Sequence, residues 1–189
     1  MIITVLIHET GHLIFGLLTG YRLVSFKLLG LKLEDTGTGK RVFFCGITPC
    51  GQCLMYPIKE NACPLMMILG GSAANLASGI MLTVPGFVVS GIVLKSTLLY
   101  LGSIGIAIGL YNLFLGSKYS DGNTYREIKR DKEAGHVYNN IMLIYRCLLA
   151  GIKYEDMPDR LFEMNREGSG PIYDEMREYI KRKKNGCSG

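Results

Sequence analysis

Histidine is scarce in this sequence: three residues in 189. No basic leader precedes the first apolar stretch, so residues 1–19 do not read as a cleavable signal peptide. No stripe of Lys and Arg interleaved with aromatics runs through the chain, which excludes nucleic acid as a partner. Basic residues are also nearly missing from 85–95, where Lys95 stands alone. There is no internal repeat, so a solenoid is excluded. What is present is a hydrophobic share of 48%, gathered into blocks rather than spread evenly. That pattern fits a membrane protein with a polar tail, the lipid bilayer being its first partner.

Residues 1–19 read as one apolar helix ended by Gly20. At 1.5 Å per residue this segment spans roughly 28 Å, against a bilayer core of about 30 Å. Residues 64–84 and 96–115 read as two further spans, with Pro64 near the start of the first and Pro85-Gly86 breaking its end. Between the first and second spans, a β-forming run ends at a turn, Asp35 to Lys40, and a second run follows, which predicts a β-hairpin over about 22–47. "TPCGQC" and "YPIKENACP" read as loop. After Lys118 the composition turns charged, and helices are expected near 122–134, 136–151, 155–167 and 171–184. Loop 21–63 carries Arg22, Lys27, Lys32, Lys40, Arg41 and Lys59. The positive-inside rule places that loop and the charged tail in the cytosol.

The first apolar segment contains His8-Glu9-Thr10-Gly11-His12. Two histidines one helical turn apart share a face and can bind a single zinc ion, while the intervening glutamate activates water. An ionisable group at membrane depth costs several kcal/mol, so three within five residues call for a shared purpose, and a metal supplies it. Zinc wants a third protein ligand and an open position. Glu34 has a spacing near that of soluble thermolysin-like enzymes, but its segment reads as strand. Phe15 and Leu18 stand where an extended HExxHxxGxxH pattern needs glycine and histidine. His136 reads as a helix-start residue. Asp121, in "NLFLGSKYSDG" at the cytosolic end of the third span, is the better candidate, provided the chain after Asn112 stays at membrane depth as irregular backbone. Its alternative role is to cap the helix that follows. Asn75 and Asn112 are polar residues at membrane depth. They either face the cleft, holding substrate backbone or an oxyanion, or join helices by a hydrogen bond.

HETGH in an apolar helix, a second span with "GGSAANL" and a third ending "N…DG" resemble the site-2 protease family of intramembrane zinc metalloproteases. The likeness covers about residues 1–125. The last motif differs from the family's NxxPxxxxDG in having Leu115 for proline and one further residue before Asp121. The resemblance implies a mainly α membrane protein with a core of three transmembrane helices at 1–125, carrying the β-hairpin insertion. It implies zinc held by His8, His12 and Asp121, with Glu9 as catalytic base. Its reaction would be hydrolysis of a peptide bond in or near the membrane-spanning segment of a protein or peptide substrate. Residues 126–189 form the expected cytosolic helical domain, outside the resemblance, which could dock a cytosolic partner. The location expected is multi-pass, in a bacterial plasma membrane. A rival from another class is a non-catalytic membrane binding or chaperone module that keeps the protease fold, and a third is a soluble zinc peptidase.

Cys45, Cys50, Cys53 and Cys63 include one CxxC, but a second paired knuckle is missing. The expectation is ordinary reduced thiols, with a second metal site or a redox role as alternatives. The run Lys181–Lys184 suits either a solvated helix C-terminus or contact with anionic lipid.

Overall fold

A computed structural model describes residues 2–37, 39–46, 51–59 and 62–186. The chain is mostly helical, with one small antiparallel sheet. Helix α1, Ile2–Leu18, carries the HExxH motif. It ends where Thr19 Oγ1 donates to the Phe15 carbonyl (2.7 Å) and Gly20 adopts a φ of +86°.

The expected hairpin at 22–47 is instead part of a four-stranded sheet. Its strands are β1 (Tyr21–Leu28), β2 (Leu31–Asp35), β3 (Lys40–Phe44) and β4 (Gln52–Pro57), in the order β3-β2-β1-β4. The run read as one long strand reverses at Leu29-Gly30, whose φ values of +50° and +87° make the two-residue turn between β1 and β2. Leucine is an unusual occupant of that conformation, which is why the turn was missed. The region read as loop contains β4, an edge strand. Its terminal Pro57 pairs with Tyr21, where the lost N–H matters least. A bulge between Leu23 and Ser25 lets the consecutive residues Val24 and Ser25 both be buried.

Helix α2, Leu65–Val88, does not stop at Pro85. Proline removes one hydrogen bond, yet the Val89 N–H still reaches the Pro85 carbonyl (3.0 Å) and the helix continues. Helix α3, Ile92–Leu110, starts four residues before the expected 96 and takes in Lys95. It runs on into a π turn, Tyr111–Leu115. α2 and the Ile92–Leu115 helix, 24 residues each, are long and apolar enough to cross a membrane, whereas α1 has 17. Their outer surfaces expose Met81, Phe87, Val93 and Phe114. The three helices touch through small residues. A Cβ on Gly70 would lie 2.6 Å from the Gly11 carbonyl oxygen, and one on Gly79 would lie 2.8 Å from that of Gly102.

The C-terminal part comprises α4 (Asp121–Arg130), α5 (Lys132–Leu149) and α6 (Pro171–Lys184). The helix expected at 155–167 is two short 3-10 turns, Tyr154–Asp156 and Asp159–Phe162. Tyr21, Val24 and Met55 of the sheet share one buried core with Ile141, Ile144, Tyr173 and Met176 of α5 and α6. A buried polar tie crosses that core: Tyr21 donates to Asn139 Oδ1 (3.0 Å), whose Nδ2 donates to the Ala62 carbonyl (2.8 Å). Lys183 is drawn back onto the Met157 carbonyl (2.9 Å) and over Phe162, so the basic end of α6 is only partly solvated.

Candidate metal centre and cavity

α1 presents His8 and His12 on one face, their Nε2 atoms 3.2 Å apart and their rings at 89° to each other. Both face α2 at Gly71, where a Cβ would lie 2.8 Å from His8 Cε1 and closer still to His12 Nε2. Any larger residue would fill the space the rings occupy. The crossing of α1 over α2 at Gly11 and Gly70 brings them there.

Asp121 is brought to the same stretch of α2 by the start of α4. After the π turn the chain is extended at Gly116 and then turns through Ser117–Ser120 into α4. Gly122 makes this possible, since a Cβ there would strike the Leu113 carbonyl. Asp121 is the first residue of α4, but its carboxylate does not cap the helix. Oδ2 lies 3.4 Å from His8 Nε2 and accepts a hydrogen bond from Ser72 Oγ (2.7 Å), and Oδ1 lies 3.5 Å from His12 Nε2. The three side chains offer ligand atoms within 4.8 Å of one another, a group that could hold a metal ion and the one such group among the described residues.

The outer nitrogens of the imidazoles are also engaged. His12 Nδ1 donates to the Met67 carbonyl (2.8 Å), leaving Nε2 with its lone pair. Asn75 Nδ2 faces His8 Nδ1 at 3.3 Å, while its Oδ1 is buried without a partner. A half-turn of the amide lets that oxygen accept from His8 Nδ1–H, which removes a buried orphan acceptor and gives His8 the same tautomer as His12.

Glu9 is buried, 7% exposed, beside the two histidines. The start of β4 lies against it: a Cβ on Gly51 would be 2.6 Å from Glu9 Oε1. His8, Glu9, His12 and Asp121 share a cavity of about 420 Å³ with Gly51–Leu54 at the β4 edge, with Tyr138 and Met142 of α5, and with Ile172 and Glu175 of α6. Asn75 stands behind His8 and is fully buried. Asn112, on the π turn, is partly buried and does not line the cavity.

Glu34 sits on β2 opposite Ser25 and pairs with Lys32. His136 is exposed on α5 and lines a separate cavity of about 330 Å³. Cys50 and Cys187 lie outside the described residues. Burial pushes the Cys53 thiol up to about 12, so it stays protonated at neutral pH. Sequence reasoning passed over Ser72, Gly71, the Met67 carbonyl and the β4 edge. Ser72 and Gly71 carry no signal of their own in a run of small residues, because their role depends on what α1 and α4 bring against them.

Compared with family models, curated proteins and solved structures, the chain matches none.

Proposed function

We propose that the chain is a zinc-dependent intramembrane endopeptidase cutting a peptide bond in or near a membrane-spanning segment. One observation carries the reading. Two imidazoles and a carboxylate from separate elements converge beside a buried glutamate, on the wall of a cavity that an edge strand borders. The donor set fits zinc. Bonds of about 2.0–2.2 Å in a tetrahedron place neighbouring donors about 3.3–3.6 Å apart. The two imidazole nitrogens are 3.2 Å apart, and Asp121 sets one oxygen 3.4 Å from His8 Nε2 and its other oxygen 3.5 Å from His12 Nε2, so a small rotation of the carboxylate brings a single oxygen into that range. Two neutral imidazoles with one carboxylate, leaving a position open, are the ligand type of a catalytic zinc site. In this reading α1, α2 and α3 are the three spans, and the sheet and C-terminal helices lie on the cytosolic side.

A substrate helix has every amide paired internally, so it must unwind locally before it can be cut. The free edge of β4, with Gly51 beside Glu9, offers hydrogen-bonding partners for the unwound backbone by β-addition. Bound zinc supplies a Lewis acid that polarises the scissile carbonyl and eases deprotonation of water. Glu9 takes the proton from the attacking water on a carboxylate oxygen and delivers it to the leaving amine. The Met67 carbonyl and Asn75 hold the two rings in place, and Ser72 holds Asp121.

The test uses the purified chain in detergent with a model membrane-spanning peptide that carries a Gly-Gly pair near its cytosolic end. Wild type is expected to contain one zinc per chain and to cut the peptide. Glu9→Gln is expected to keep the zinc and lose cleavage. A chain free of zinc, or a Glu9→Gln variant that cuts as well as wild type, defeats the reading, and zinc without cleavage favours the non-catalytic module.

A further inference from the structure

The wall of the cavity that faces the cytosol in this reading is built by α5 and α6, through Tyr138, Ile141, Met142, Ile172 and Glu175. α6 is fixed at that wall. Ile172 N–H donates to Glu127 Oε1 (3.3 Å), Tyr173 donates to Asp131 Oδ2 (2.7 Å), Lys118 donates to Asp174 Oδ2 (3.1 Å), and Met176 is fully buried. Glu175 sits between these anchors, yet its own carboxylate has no hydrogen bond or ion pair among the described residues. The residue is exposed at the cavity wall, and partial desolvation there raises its carboxyl above the ordinary glutamate value.

The charge balance of the cavity is one-sided. Among the described residues Glu9, Asp121 and Glu175 line it, and no Lys or Arg does. A divalent ion offsets two carboxylates and leaves the third uncompensated. A carboxylate on the cavity wall without a protein counter-charge favours an occupant that brings one, by electrostatic complementarity. Membrane-spanning proteins carry Lys and Arg just cytosolic of their spans. A substrate threaded from the membrane past Glu9 therefore brings a basic side chain towards α6.

We propose that Glu175 is a specificity residue that selects substrates bearing a Lys or Arg on the cytosolic side of the scissile bond. The inference rests on the proteolytic reading for its occupant, but it is tested by binding. Three fluorescein-labelled membrane-spanning peptides, identical except for Lys, Gln or Glu at the first position cytosolic of the span, are titrated against the full chain in neutral detergent by fluorescence anisotropy.

Wild type is expected to bind the Lys peptide about threefold more tightly than the Gln peptide, the strength of a solvent-exposed ion pair. Glu175→Gln removes the preference while keeping the affinity for the Gln peptide, and Glu175→Lys transfers it to the Glu peptide. The reversal shows that the variants fold. An unchanged Lys preference in Glu175→Gln, or no binding of any peptide by wild type, overturns the proposal. Cleavage of the same peptides separates the two ideas. Cleavage without a Glu175-dependent preference overturns this inference alone, and a Glu175-dependent preference without cleavage upholds it while defeating proteolysis.

Discussion

Gly71→Ala is the sharpest probe of the candidate metal centre, because it adds one methyl group at the point where both histidines meet α2. The new Cβ would lie 2.8 Å from His8 Cε1 and from His12 Cδ2. Carbon atoms in favourable contact are about 3.5 Å apart, so each ring must give way by roughly 0.7 Å. Metal–ligand distances tolerate about ±0.2 Å, so a shift of that size takes the two nitrogens out of register with each other and with Asp121. The rings cannot move freely, because the Met67 carbonyl and Asn75 hold their outer nitrogens. The expected loss of zinc affinity is about 10–100-fold, the range seen when groups that orient metal ligands are disturbed.

The helix itself gains slightly from the change, since alanine is a better helix former than glycine by about 1 kcal/mol. Loss of metal without loss of helicity is therefore the signature. The assay is competition for zinc against a chromophoric chelator in detergent, with circular dichroism on the same samples. Gly39→Ala, where a Cβ meets nothing within 4 Å, is the control. A Gly71→Ala variant that holds zinc as tightly as wild type would refute the placement of the imidazoles over α2.

Two further outcomes follow from the hydrogen bonds. Asn75→Ala removes the partner of His8 Nδ1 and is expected to lower zinc affinity at least about tenfold in the same competition assay. Asn112→Ala, outside the cavity lining, leaves it unchanged, and equal effects would contradict the assignment. Asp131 accepts from Glu133 N–H at the start of α5 (3.0 Å) and from Tyr173 of α6, and it pairs with Arg166. Desolvation opposes its ionisation, but the Tyr173 hydrogen bond and the Arg166 contact hold its carboxyl below the usual aspartate range. A depressed carboxyl stabilises the fold at neutral pH, and that contribution fades as pH falls through the depressed value. Asp131→Ala is expected to cost about 1 kcal/mol from the lost cap, read as a lower thermal midpoint at pH 7. The gap should shrink at strongly acidic pH, and a gap that stays constant contradicts this account.

Much of the candidate metal centre was legible in the chain because its chemistry is local. His8 and His12 lie one turn apart in an apolar helix, and the helical period alone puts them on one face. Placing Asp121 needed more, because local rules offered an equally good role for it as a helix cap. What decides between them is the π turn after Leu110 together with Gly122, which seats the start of α4 against Leu113 and turns the carboxylate towards Ser72 and the histidines. The sheet was the harder part. Leu29 in a left-handed turn divided one expected strand into two, and β4 was hidden among cysteine, glycine and proline, which read as loop.

Composition and period, both short-range properties, sufficed for the apolar helices, the small-residue face of α2 and the paired imidazoles. The wall that α5 and α6 build against the cavity, the Asn75 and Ser72 contacts and the β4 edge beside Glu9 depend on segments tens of residues apart being packed together. No local propensity encodes such contacts. They exist because burying Tyr21, Met55, Ile144 and Met176 in one core brings the sheet and the C-terminal helices against the face that carries His8 and His12.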